Sequence, residues 1–436
     1  MRILSSEVKD HIGKSVHIEG WLHKKRMLGG LTFINVRDRR GLVQVVIQDK
    51  DEVEKLRGLQ IGTVLTVDGT AVEEPRAPGG AELHDATLTV LVPVTDEPPI
   101  EIDKPLSHRP DNLDTLFEYR PIGLRNLQET AIFKIQAAIT KALREYFYEQ
   151  DFTEIRTPKL LAAATEGGAE VFKIDYFGKE ATLAQSPQFY KQIMVGIFER
   201  AFEIAPVYRA EPSATTRHMT EYISIDGEMG FIDLSGLQTL LSDLLHYVSD
   251  YIWEHYEAEL KLLHATKPVL SKQVPSISMA EIHERYSQAT GQKTIGEKDL
   301  RPDEERWICE YAHKELGSEA VFVTDWPASE MKFYHKAQTG NPELADRVDL
   351  LFRGVEIATG SMRENDYQVV VKQLKEKAGG DPEDPGFKPL LMAMQAGMPA
   401  HGGFGMGLER LTEKFLGLNN VKEATLFPRD INRLSP

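Results

Sequence analysis

Between Ser15 and Val92 the apolar positions fall into short runs rather than helical stripes. Ser15–Leu22, Leu31–Val36, Leu42–Ile47, Thr63–Val72 and Glu82–Val92 are rich in Val, Ile and Thr, which suit a pleated, half-buried surface. Turn signals part them at Leu28-Gly29-Gly30, Arg39-Arg40-Gly41 and Ala77-Pro78-Gly79-Gly80. Five strands in so short a stretch predict either a sandwich module or a small barrel, and the OB-fold is the five-stranded barrel that binds oligonucleotides. The pattern then breaks. Pro93–Pro121 carries six prolines and no clean period, and reads as a linker that opens a second domain. Asn126–Gln150 predicts a helix, because Leu127, Ile132, Ile135, Ile139, Leu143 and Phe147 recur near the helical period. Beyond it, strands are expected at Thr182–Ala184, Ala201–Arg209, Tyr222–Phe231, Ala320–Thr324, Val348–Phe352 and Val355–Thr359, with helices over Leu234–Leu263 and Gly405–Phe415. The expected fold class is α+β: a barrel domain over 1–104, a hinge over 105–125 and a large mixed domain over 126–436.

With 436 residues and 41% hydrophobic content the chain has material for a real core in each domain. Its net charge of −16 argues against a polybasic nucleic-acid binder. The charge is uneven, however: Lys24, Lys25, Arg26, Arg37, Arg39 and Arg40 face a single acid, Asp38, between Gly20 and Gln48. That local basic stretch leaves room for a specific nucleic-acid site. Cys309 is the only cysteine, so no intramolecular disulfide and no cysteine-built zinc site is possible, and a reducing cytoplasm is expected. Neither a signal peptide nor a membrane-spanning run is legible.

The common phosphate loops are missing. Gly13-Lys14-Ser15 lacks the first glycine of a P-loop, since Val8 stands there, and Gly402–Gly407 never takes the dinucleotide spacing. The chemistry concentrates in Ala201–Phe231, where AFEIAPVYRAE runs into a polar loop and YISIDGEMGF returns. Strand alternation places Ser224, Asp226 and Glu228 on one face, opposite Ile223, Ile225 and Met229. Each charge alone reads as a solvated strand face. The whole pattern, Arg-x-Glu, a loop, then Arg-His-x-x-Glu, is an odd way to build a core.

That pattern resembles motif 2 of the class II aminoacyl-tRNA synthetases. GFGMGLERL (Gly403–Leu411) resembles their motif 3, and FTEIRTPKL (Phe152–Leu160) their motif 1, with Pro158 at the usual dimer-interface position. ATEGGAEVFKI, LAQSPQFYKQI, EIATGSMR and FPRD look like the aspartyl-tRNA synthetases in particular, and GGLTFINVRDRRGLVQVVI is similar to their anticodon-binding OB domain. The chain is too short for the inserted domain of bacterial-type members, so the resemblance is to the archaeal type.

The resemblance implies a catalytic domain on an antiparallel sheet, working as a homodimer with ATP and Mg²⁺. Arg209 would bind the α-phosphate and the amino-acid carboxylate, stabilising charge in the transition state. Arg217 and Arg410 would hold the distal phosphates. Ala210, Glu211, His218, Met219, Tyr222, Gly407, Leu408 and Glu409 would complete the ATP site, with Tyr222 against the adenine. Glu356 would ligate Mg²⁺, with Thr359 beside metal and substrate. For the amino acid, Ser186 and Pro187 are read as cap and first residue of a helix that brings Gln188 and Lys191 onto one face, flanked by Phe189 and Tyr190. Lys191 and Arg363 make a pocket for an anionic side chain, Asp226 would take the ammonium, and Glu166 lies on the loop expected to close over L-aspartate. Asparagine there would strand buried cations, a penalty on the order of 3–5 kcal/mol.

On the barrel, the resemblance gives Phe33 a stacking role and Gln44 a hydrogen bond to an anticodon base, with Arg26, Arg37 and Arg39 on backbone phosphates. A core position for Phe33 is the alternative. His23 and Pro78 stand where strict enzymes of this type carry a bulky residue and a lysine. The expectation is therefore relaxed reading of the last anticodon base: aspartate charged onto both tRNA(Asp) and tRNA(Asn), with an amidotransferase to convert the mischarged product. The rival readings are a tRNA(Asp)-only enzyme, an asparaginyl-tRNA synthetase, a synthetase paralogue with another substrate, and a non-catalytic nucleic-acid binder.

Overall fold

The computed structural model describes residues 2–29, 31–108, 112–162, 170–212 and 215–436. The chain divides into two compact units, Met1–Thr130 and Ala131–Pro436.

In the first unit five strands close into a barrel: β1 (Ser15–Leu28), β2 (Leu31–Arg37), β3 (Leu42–Ile47), β4 (Val64–Glu73) and β5 (Ala81–Val92), in the order β1-β2-β3-β5-β4. The sandwich alternative falls with that closure. Strand alternation builds the core: Ile34, Val36, Val43, Val45, Leu65 and Val67 all point into one buried cluster. β1 runs on past the expected end at Leu22. A register shift between Leu22 and Lys24 leaves Leu22 and His23 both buried. Between β3 and β4 the sequence reading missed a helix, α1 (Lys50–Arg57), capped by the Asp49 side chain. At its other end Lys25 Nζ donates to the carbonyls of Leu56 and Leu59, so this lysine of the basic stretch holds a helix terminus. The proline-rich segment after β5 is not a bare tether: it contains Leu113–Glu118 and Arg120–Gly123 as short helices, with Arg120 buried against Glu129.

The second unit is built on α2 (Leu127–Glu149), whose first turn belongs to the first unit, and an eight-stranded sheet. In chain order its strands are β6 (Thr153–Glu154), β7 (Arg200–Tyr208), β8 (Glu221–Gly230), β9 (Ser276–Ser278), β10 (Ala320–Thr324), β11 (Arg347–Phe352), β12 (Val355–Arg363) and β13 (His401–Gly407). Spatially they run β9-β10-β11-β12-β13-β8-β7-β6, antiparallel throughout the centre with one parallel pairing at each edge. α2 and α4 (Leu234–His255) bury Ile135, Ile139, Phe147, Leu241 and Leu245 in the main core with Phe202, Phe352 and Phe404 of the sheet. Among the described residues no helix is long and apolar enough to cross a membrane.

Three local expectations need correction. The helix expected over Leu234–Leu263 stops at His255, and Glu257–Leu262 forms a separate short helix. Gly405 does not open a helix: the glycine run is the strand β13, and helix α7 begins at Leu408 and ends at Leu416. Its glycines let β13 lie close over β8, where a Cβ on Gly403 would collide with the Glu228 carboxylate. Pro187 is the cap rather than the first helical residue of α3 (Gln188–Phe198), although the Ser186 hydroxyl still accepts from the Gln188 N–H at 3.2 Å. Two further helices, α5 (Met279–Thr290) and α6 (Pro302–Leu316), pack with β10 around a core of their own and were not anticipated.

Candidate active site

One cavity of about 350 Å³ opens on the sheet of the second unit, walled by β8, β12, β13, α3 and the loop between β7 and β8. It gathers most of the residues expected from the sequence. Ser186, Gln188, Lys191, Asp226 and Arg363 line one part, Arg217, His218, Met219, Glu409 and Arg410 another, and Arg209, Glu211, Tyr222, Glu356, Thr359 and Gly407 also contribute. Four expected residues are not in the wall. Phe189 packs with Phe333 and Val370 in an apolar cluster, because helical spacing turns it away from Gln188 and Lys191. Leu408 belongs to the main core, and Tyr190 and Ala210 stand outside the wall. Glu166 lies outside the described residues.

The deepest charges are paired across β8. Lys191 Nζ donates to Asp226 Oδ1 at 2.8 Å and to the Phe404 carbonyl at 2.8 Å, and lies 3.7 Å from Glu228 Oε2. Arg363 meets Glu228 side-on, Nε to Oε1 at 2.7 Å and Nη2 to Oε2 at 3.1 Å. Burial alone would push the Glu228 carboxyl up, but Arg363 and Lys191 together hold it below the usual carboxylate range. Ser224 donates to the second Asp226 oxygen at 2.5 Å. The alternation read from the sequence thus puts Ser224, Asp226 and Glu228 on one buried face. Glu228, given no role there, is the residue that fixes Arg363.

A second electrostatic centre lies where β11 pairs with β12. Thr359, opposite Asp349 in register, donates to Glu356 Oε1 at 3.0 Å. Arg347 donates from Nε to Asp349 Oδ1 at 3.2 Å and from Nη2 to Oδ2 at 2.8 Å, and its guanidinium stacks 4.0 Å over Trp326. Burial raises the Asp349 carboxyl to about 7; Arg347 opposes this and Glu356 adds to it. Glu356 is held low despite burial, by Arg410 and Arg347. Among the described residues no three metal-ligating side chains converge. Glu356 lines the cavity, whereas Asp349 is not part of its wall and both its oxygens accept from Arg347; a site of one or two carboxylates suits Mg²⁺, which completes its shell with phosphates and water. The sequence reading gave Asp349 no role; its spacing of two from Arg347, on the strand paired with that of Glu356, was the signal available.

The elements around Tyr222 are also tied together. Both oxygens of Glu409 lie 3.1 Å from the Ile223 N–H, next to Tyr222, and burial lifts the Glu409 carboxyl to about 7. The Arg209 guanidinium lies 5.9 Å over the Tyr222 ring. Burial lowers the His218 imidazole against the pull of Glu211.

On the barrel, Arg26 pairs with Phe33 across β1 and β2, and Gln44 pairs with Asn35 across β2 and β3. Phe33 alternates with buried Ile34 and is absent from the barrel core, so its ring faces outward on the same surface as Gln44. Gln44 Nε2 donates to Glu82 Oε2 at 2.7 Å, which orients the amide. Arg37 stacks 4.9 Å over Trp21, and Arg39 is exposed. His23 is buried with its Nδ1 unpartnered among the described residues, and burial together with Arg37 lowers its pKa to about 4. It is a neutral side chain, close enough to Arg37 and Lys24 to feel both charges. Pro78 opens a short turn before β5.

A mostly antiparallel sheet with paired motif-2-like strands, a glycine strand running into an arginine-bearing helix, and a five-stranded barrel ahead of it define a class II tRNA synthetase. The chain belongs to the family of class II tRNA synthetases (D, K and N), whose model matches residues 112–431, preceded by an OB-fold nucleic acid binding domain over 16–91. It is 43% identical to the aspartate–tRNA(Asp/Asn) ligase of Thermus thermophilus, over the full length of both. It is 39% identical to the aspartate–tRNA(Asp) ligase of Pyrococcus horikoshii, over 99% of each. The asparaginyl-tRNA synthetase of Pyrococcus horikoshii complexed with asparaginyl-adenylate superposes with a TM-score of 0.92, at 30% identity and full coverage of both chains.

Proposed function

We propose that the protein attaches L-aspartate to tRNA in two steps: ATP and aspartate form aspartyl-adenylate and pyrophosphate, and the aspartyl group then passes to the tRNA 3′ end. One observation carries the choice of amino acid. Lys191 and Arg363 enter the cavity as buried cations, each held by a carboxylate of β8. An aspartate side chain gives them a third negative partner, and an amide does not. Arg209 stabilises the α-phosphate, Arg217 and Arg410 hold the distal phosphates, and Asp226 takes the substrate ammonium. Asp349 and Glu356, with Thr359 beside them, hold Mg²⁺, which when bound offsets phosphate charge. Residues 1–104 serve as the anticodon-binding domain, 105–125 as the hinge and 126–436 as the catalytic domain of a homodimer.

Reading of both tRNA(Asp) and tRNA(Asn) is supported by the names of several relatives and by what stands at His23 and Pro78. A neutral, buried His23 and a proline offer no cation to the last anticodon base. Product on tRNA(Asn) then requires an amidotransferase. Aminoacylation with radiolabelled aspartate on the two transcripts tests this: charging of both is expected, and charging of tRNA(Asp) alone contradicts it. The full-length likeness to asparaginyl-tRNA synthetases favours asparagine as the second reading. Labelled asparagine in the same assay separates the two.

A further inference from the structure

The arginines of the cavity are supported from behind. Arg363 rests on Glu228, and Arg410 Nη1 donates to the Glu356 carbonyl at 3.0 Å. Arg217 has support of the same kind from outside the cavity wall. Its Nη1 donates to Glu305 Oε2 at 2.7 Å and its Nη2 to the Gly354 carbonyl at 3.0 Å, taking two of the five donors of a guanidinium.

Glu305 sits in the first turn of α6, a helix that contributes no residue to the wall. Its side chain is 15% exposed and that of Arg217 20%, so the pair is substantially shielded from solvent. Burial pushes the Glu305 carboxyl up, Arg217 pulls against this, and Glu356 adds to the push. Arg217 itself lies on the loop between β7 and β8. That loop is pinned by backbone bonds from Val421 N to Thr216 O and from Thr220 N to Arg429 O, and by Arg410 Nη2 at 3.4 Å from the Arg217 carbonyl. These contacts fix the backbone. They leave the long Arg217 side chain to be ordered by Glu305 and Gly354. A rotamer-rich cation that is already in place loses less freedom when a polyphosphate arrives.

We propose that Glu305 is a positioning residue, which holds the Arg217 guanidinium at the phosphate end of the nucleotide site and thereby sets the affinity for the β- and γ-phosphates without touching them. The proposal rests on the ATP-dependent reading above. It also gives α6 a part in the site, since one of its carboxylates holds an arginine of the cavity wall.

The test is an equilibrium titration of wild type, E305Q, E305A, R217A and the double variant with Mg·ATP, inorganic pyrophosphate and AMP. E305A is expected to weaken ATP and pyrophosphate about two- to fivefold, the scale of a partly shielded ion pair, with E305Q between it and wild type. AMP, which lacks the distal phosphates, should bind unchanged. Adding E305A to R217A should cost nothing more, because the effect passes through Arg217. Equal weakening of AMP and ATP would mark a merely structural ion pair, and tighter ATP binding a competing one; either overturns the proposal, as does additivity in the double variant. E305Q keeps shape and volume and guards against misfolding of E305A. If wild type binds ATP with this pattern yet shows no aspartate-dependent pyrophosphate exchange, the proposed function fails and the role of Glu305 stands.

Discussion

The Glu228 carboxylate accepts both Nε and Nη2 of Arg363, at 2.7 and 3.1 Å, within a wall where neither side chain is more than 4% exposed. This fork fixes a planar cation at one end of the cavity before any substrate arrives. Removing one partner leaves the other charge buried and uncompensated. E228A should therefore cost about 3–5 kcal/mol in aspartate-dependent kcat/KM, a loss of roughly a hundred- to a few-thousandfold. ATP–pyrophosphate exchange measures it. A change below tenfold would mean that Arg363 is placed by something else.

Asp349 and Glu356 are read as the protein's contribution to a Mg²⁺ shell. D349N should raise the Mg²⁺ concentration that half-saturates exchange, by about tenfold or more. Manganese titration followed by electron paramagnetic resonance in the presence of ATP should show the same weakening without turnover. Unaltered metal dependence in both assays would remove Asp349 from the site.

Glu409 gives a pH signature. Its carboxyl, raised to about 7 by burial, binds a proton more tightly in the folded chain than in the unfolded one. Its contribution is complete below the unfolded value, near 4.5, and is lost as pH rises to about 7. Between these limits wild type should lose up to about 3 kcal/mol of stability relative to E409Q. Thermal melting of the two proteins from pH 4.5 to 7.5 checks this, and parallel curves would contradict it.

Phe33 and Gln44 share an outward face of the barrel. F33A should lower tRNA kcat/KM by about 5- to 150-fold, the value of one stacked base, and leave exchange without tRNA unchanged. Loss of exchange in F33A would point instead to a folding defect.

Much of this was legible in the sequence, for physical reasons that can be named. The barrel strands showed because one face of each is buried, so Ile34 and Val36 alternate with Phe33 and Arg37. The cavity showed because charged residues at strand spacing, Asp226 and Glu228, have no place in an ordinary core. What escaped depended on context that no local pattern carries. The glycines of β13 read as poor strand formers, and only the close approach of β8 explains them. α5 and α6 bury a small core of their own that the strand-based reading passed over. His23 is buried at a register shift beside Leu22 that periodicity cannot foresee. Glu305 lies far from Arg217 in the chain, and nothing in its own helix marks it.

The central claim is that two buried cations select an anionic amino acid. ATP–pyrophosphate exchange with purified protein, run in parallel with L-aspartate and L-asparagine, tests it most directly. Aspartate should support exchange with a kcat/KM at least a hundredfold above that for asparagine. Equal exchange, or a preference for asparagine, would contradict the assignment of Lys191 and Arg363.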